Sequence, residues 1–104
     1  MSISYFNYAA EADKARKDAD AAYYRARKYA RDAGLEYRNA ANYAHYAQSC
    51  TRRTWDDCAP GFWEDMARLC IRRADHLLAD SFRETEWARS RAASARRYDQ
   101  MASA

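Results

Sequence analysis

Two histidines, three cysteines and a few neighbouring acids are the residues in this 104-residue chain whose types could do chemistry. An acid–base or nucleophilic site needs its groups within about 3 Å of one another. Neither His45 nor His76 has the spacing to a Ser, Cys or carboxylate that would bring this about. The acid pairs Asp56-Asp57 and Glu64-Asp65 cluster where a helix is expected to begin, and there the helix dipole accounts for them. Cys50, Cys58 and Cys70 are poor zinc ligands. Zinc-binding pairs are about two to four residues apart, whereas Cys50 and Cys58 are eight apart. Thiols on a buried face or in a loop are the expected state, with a Cys50–Cys58 disulfide as the alternative. The expectation is a protein that is not an enzyme and holds no cofactor or metal.

Binding chemistry is better represented. The stretch "YYRARKYAR" interleaves Tyr23, Tyr24 and Tyr29 with Arg25, Arg27, Lys28 and Arg31, and further arginines stand at 52–53, 72–73, 89, 91, 96 and 97. Arginine with aromatic rings can hold single-stranded nucleic acid by phosphate contact and stacking. The same pair of residue types is enriched at protein interfaces. The formal net charge is only +3, and Glu11, Asp13, Asp18, Asp20 and Asp32 lie among the bases. A nucleic-acid binder concentrates its positive charge, so a protein partner is the first expectation and nucleic acid the second. The candidate partner-binding residues are Tyr24, Arg25, Arg27, Lys28 and Arg31, set against the plainer reading of a solvated helix face.

The elements that must carry these residues are helices. Two glycines and one proline are too few for the turns of a β domain, and Ala, Arg, Glu, Lys and Met favour helix. Large aliphatics are scarce: Ile3, Ile71, Leu35, Leu69, Leu77 and Leu78, with no valine. So low a content invites a disordered reading. The small net charge and the nine Tyr and three Trp oppose it. The fold class is all-α, in a single domain spanning 1–104.

Small and aromatic residues recur at alternating steps of three and four: Tyr5, Tyr8, Ala12, Ala15, Ala19, Ala22, Ala26, Tyr29, Ala33. That is the seam of a helix wound on a neighbour. After Gly34 the stripe resumes as Tyr37, Ala40, Ala44 and Ala47, one step out of phase. Either a helix ends at Gly34 or it runs through with a stutter. A turn is expected near residues 51–60, with Thr54 and Asp57 as a weak capping pair and a helix starting between Asp57 and Gly61. The later stripe reads Trp63, Met66, Cys70, Ala74, Leu77, Ser81, Thr85, Ala88, Ala92, Ala95, and Ser81 with Glu84 offers a second break. Unbroken, the halves make an antiparallel hairpin of helices about 60–70 Å long. With breaks at Gly34 and Ser81 they make a shorter four-helix bundle.

Leu69, Ile71, Leu77 and Leu78, with Trp55, Phe62, Trp63, Phe82 and Trp87, are expected to form the best core. The alanine stretches pack closely but bury little, since each contributes a single methyl worth about 0.8 kcal/mol. Modest stability follows, and self-association, a homodimer included, or a partner would raise it. No apolar run of about 18 residues exists to span a membrane, and "MSISYFNYAAEADK" lacks the pattern of a secretion signal. A cytoplasmic setting is expected.

In size, absence of catalytic patterns and an Arg- and Tyr-bearing helical surface, the chain resembles the small helical inhibitors encoded by phages and mobile elements, anti-CRISPR proteins among them. That class has no shared motif, so the resemblance assigns no residue a role. It implies a partner that is a larger host protein or ribonucleoprotein complex, such as a CRISPR–Cas effector, blocked by occupation of a functional surface. A direct nucleic-acid binder and a self-assembling structural helix pair are the alternatives.

Overall fold

The computed structural model describes residues 6–51 and 60–104. Two α-helices hold nearly all of them: α1, Tyr8–Thr51, and α2, Pro60–Ser103. Among the described residues only Phe6, Asn7 and Ala104 lie outside a helix. The all-α hairpin is therefore the observed class, and α1 runs unbroken through Gly34 as α2 does through Ser81. No described residue has positive φ, so Gly34 is not the left-handed residue that ends a helix. The expected turn and its capping pair Thr54 and Asp57 lie outside the described residues, as does Trp55.

Helix α1 starts at a cap that the sequence reading did not single out. Asn7 accepts a hydrogen bond from the Ala10 backbone N–H at 3.1 Å, occupying one of the donors that a helix start leaves open. Glu11 adds negative charge in the first turn. At the other end of the chain, the Ser103 hydroxyl donates to the Asp99 carbonyl at 2.9 Å and closes the last turn of α2.

The described chain divides into two compact units. The first is Met1–Arg27 with Phe82–Ala104, and the second is Lys28–Ser81. In the first, Ala12, Ala15, Ala19, Ala22 and Ala26 of α1 and Ala88 and Ala95 of α2 are buried. Phe6, Tyr8 and Tyr98 cluster beside them, with ring centroids 4.8 to 6.3 Å apart. The pairing is antiparallel: Arg16 reaches Asp99, Asp18 reaches Arg91 and Arg25 reaches Glu84.

In the second unit the buried residues are Ala33, Ala40, Ala47, Ala67, Cys70 and Ala74. Tyr43 stacks on Trp63 at 5.6 Å, and Tyr46 meets the same ring edge-on at 5.4 Å. Tyr37 donates its hydroxyl to Asp75 at 2.6 Å. Here too, residues further along α1 meet earlier residues of α2.

Two expectations are corrected. The first concerns the phase after Gly34. The inner positions run Ala33, Glu36, Ala40, Tyr43, Ala47, in unbroken steps of three and four, all buried or half-buried. Tyr37 and Ala44 are exposed. There is no stutter, because Tyr37 and Ala44 belong to a second stripe of small residues beside the seam. Glu36 hid the true register, since a carboxylate is not expected at an inner position.

The second correction concerns the core. Of the thirteen buried hydrophobic residues among those described, twelve are alanine and the other is Cys70. Phe62, Ile71, Leu78, Phe82 and Trp87 are exposed, and Leu69, Leu77 and Trp63 are half-buried. The reason is register. One position of each seven-residue repeat is small throughout: Ala12, Ala19, Ala26, Ala33, Ala40 and Ala47 on α1, and Ala67, Ala74, Ser81, Ala88 and Ala95 on α2. Helices meeting on such positions come too close to admit large side chains between them, so these are turned to the flanks.

The cysteines also differ in state. Cys50 is disulfide-bonded, so the thiol reading fails there. Cys70 is a free, buried thiol. Cys58 lies outside the described residues.

Candidate protein-binding surface

The five candidate partner-binding residues all lie on α1 and all are exposed. Tyr24, Arg25 and Arg27 belong to the first unit, Lys28 and Arg31 to the second. Tyr24 is 65% exposed. It shares a face with Arg27, three residues on, as Lys28 does with Arg31.

Arg25 is different. Its guanidinium lies 3.0 Å from Glu84 Oε2 on α2. Glu84 stands at an inner position of the seam, seven residues after Leu77, and is only half exposed to solvent there. Arg25 therefore neutralises a seam carboxylate and cannot be exchanged for an acid without structural cost. It belongs to the scaffold more than to the surface patch.

Arg91 plays the matching part from α2. It sits seven residues after Glu84 and pairs with Asp18 at 3.2 Å. Its guanidinium carbon also lies 5.7 Å from the centroid of the Trp87 ring, within cation–π range. Trp87 remains 51% exposed. Trp87 is an aromatic ring held by a fixed arginine and still open to solvent, the type of residue that anchors protein interfaces. It was expected in the core instead. The signal was its offset from the seven-residue repeat Leu77, Glu84, Arg91, Tyr98, which becomes visible only once Glu84 and Arg91 are accepted as inner residues.

Part of the positive charge is neutralised at short range. Arg16 donates to Asp99 at 2.7 Å and also to Asp13, and the hydrogen bond it makes to Asp13 is the main cause that raises its already high pKa. Arg68 reaches Asp65 at 2.8 Å and Glu64 at 4.0 Å, and Arg89 reaches Glu86 at 3.0 Å. Arginines engaged this way are poor phosphate ligands, since each would have to exchange an acid for a phosphate.

Among the described residues, no three His, Cys, Asp or Glu side chains lie together as a metal site would require. His45 and His76 are exposed. A cleft of about 360 Å³ lined by His45, Tyr46, Ser49, Cys50 and Trp63 holds a disulfide sulfur in place of a thiol nucleophile. No helix among the described residues is long and apolar enough to cross a membrane. No protein family, curated protein or solved structure matches the chain.

Proposed function

We propose that the chain is a non-enzymatic protein-binding module. One observation carries this reading: alanine fills the inside, and Tyr24, Phe82 and Trp87 stand outside. Large aromatic side chains that do not build a core supply contact area to something else. Arg91 beside Trp87 is matched by Asp18 and Arg25 beside Tyr24 by Glu84, which suits a protein surface of mixed charge better than a nucleic-acid backbone. In the resemblance to phage-encoded inhibitors the partner is a larger host complex that processes nucleic acid, and the module acts by covering a functional surface of it.

The binding patch proposed on the first unit is Tyr24 with Arg27, and Lys28 with Arg31 is the patch proposed on the second. Affinity capture from a host lysate, with and without nuclease, tests the reading. Capture that survives nuclease and is lost in Tyr24→Ala with Arg27→Glu supports it, provided the melting temperature is unchanged. Capture that depends on nucleic acid, or oligonucleotide binding that falls steeply with salt, replaces it with the nucleic-acid reading. The compartment belongs to the same proposal. The Cys50 disulfide weighs against a cytoplasmic setting, since disulfides persist mainly in oxidising compartments; thiol trapping in cells tests it, and a disulfide recovered there places the chain in an oxidising compartment.

A further inference from the structure

Charge in the second unit is sorted by face. Along the outer ridge of α1, Lys28, Arg31, Leu35, Arg38, Asn42 and His45 follow one another at steps of three and four, opposite the buried Ala33, Ala40 and Ala47. All six are exposed, three carry permanent positive charge, and none is an acid. Within this unit α1 has two acids, Asp32 and Glu36, and both are half-buried and off the ridge. Arg68 of the same unit is matched by Glu64 and Asp65. By contrast, no ion pair or hydrogen bond among the described residues holds Lys28, Arg31 or Arg38. The chain's small net charge of +3 conceals this face, because the balancing acids lie elsewhere.

Unmatched positive charge selects a negative partner. Leu35 decides which kind. It stands between Arg31 and Arg38, one turn from each, and is 51% exposed. A phosphate backbone gives a leucine nothing to pack on, and no aromatic ring stands among the three bases to stack a nucleotide. A lipid surface requires a broad apolar face beside the charge, and Leu35 is the only aliphatic on the ridge. A protein segment with carboxylates on both sides of an apolar residue matches all four positions.

The spacing sets the form of that segment. From Lys28 to Arg38 the ridge runs about 15 Å along the axis at 1.5 Å per residue. A helix laid antiparallel along it covers the same length when acid, apolar, acid and acid follow at steps of three, four and three.

We propose that this ridge docks an acidic amphipathic helix of a protein partner, with Lys28, Arg31 and Arg38 facing carboxylates and Leu35 packed on the apolar residue between them. The proposal rests on the protein-binding reading above and gives the Lys28–Arg31 patch the chemistry of its partner.

Fluorescence anisotropy tests this with the full chain at low ionic strength, where surface charge is least screened. The probe is a labelled alanine-based helical peptide carrying Glu, Leu, Glu and Glu at steps of three, four and three. The wild-type chain is expected to bind it, and not the same peptide with Lys in place of Glu. Arg31→Glu with Arg38→Glu is expected to weaken binding at least about tenfold while the helical circular dichroism and melting temperature hold. Should that pair disturb the fold, Arg31→Ala with Arg38→Ala serves, with a smaller loss of the same sign. Leu35→Asn is expected to weaken binding about threefold. Arg72→Glu with Arg73→Glu makes the same change of net charge on α2 and is expected to leave binding nearly intact. A wild-type chain that does not bind the peptide overturns the proposal, as does equal loss in the α1 and α2 variants or an unchanged affinity in Leu35→Asn. A single-stranded oligonucleotide or a phosphatidylserine vesicle that displaces the peptide, and is itself lost with Arg31 and Arg38, overturns it in favour of that ligand. Lysate capture that survives nuclease while the peptide fails to bind removes this partner chemistry and leaves the protein-binding reading standing.

Discussion

The Cys70 thiol faces the Glu36 carboxylate across the seam of the second unit. Among the described residues of that unit it is the one buried residue that is not alanine, and Glu36 Oε2 is left buried without a hydrogen-bond partner. Burial, followed by the Glu36 bond and charge, pushes the thiol above its ordinary value of 9.0, against a smaller opposing effect of Arg73.

The sign of the pH dependence follows. A thiol whose folded pKa lies above its unfolded one stabilises the fold fully below the unfolded value and loses that contribution as pH rises through the folded value. Tyr37 acts in the same direction, since its bond to Asp75 raises it above 10.0. Urea midpoints are expected to be flat through neutrality and to fall above about pH 9. Cys70→Ala with Tyr37→Phe should flatten that alkaline fall. A wild-type midpoint that rises in the same range contradicts it. At neutral pH Cys70 should react with a thiol reagent only as fast as the helices part.

Gly34→Ala tests whether Gly34 has any role within its own chain. With no atom near the added methyl, only helix propensity changes. The gain is expected to be about 0.5–1 kcal/mol, read from denaturant unfolding. A loss of stability under those conditions means that the chain's own structure needs the glycine.

Helix class, the hairpin and the alanine seam up to Ala33 were legible in the sequence, because spacing alone determines them. The seam beyond Gly34 and the site of the large residues were not. Periodicity counts small and apolar residues, so it followed Tyr37 and Ala44 onto the second stripe and skipped Glu36. It likewise passed over Glu84 and Arg91, inner residues whose charge is met across the seam by Arg25 and Asp18. Hydrophobicity then assigned Phe82 and Trp87 to a core that has no room for them. Of the candidate patch, exposure was legible at all five positions, and the Arg25–Glu84 pair was not, because its partner is distant in sequence.

That pair supports a third prediction. Glu84 Oε2 is buried and off the hydrogen-bond direction of Arg25, yet 3.0 Å from its charge. Arg25→Ala leaves the carboxylate in the seam uncompensated. An expected loss of about 1 kcal/mol follows, small because both side chains keep some solvent contact. Adding Glu84→Ala should recover part of it, as a double-mutant cycle reads directly. A double variant whose loss equals the sum of the Arg25→Ala and Glu84→Ala losses would show that the two groups do not interact.

Ala22 and Tyr24 decide the division between an alanine interior and an aromatic exterior most directly. They stand two residues apart on α1, one fully buried and the other 65% exposed. Side by side, Ala22→Leu and Tyr24→Ala should be unfolded in denaturant under identical conditions. Enlarging Ala22 is expected to cost about 1–3 kcal/mol through overpacking. Removing the whole Tyr24 ring is expected to cost less than about 0.5 kcal/mol. The reverse order, with a tolerated leucine and a costly loss of the tyrosine, would mean that the large residues hold the fold together and are not free for a partner.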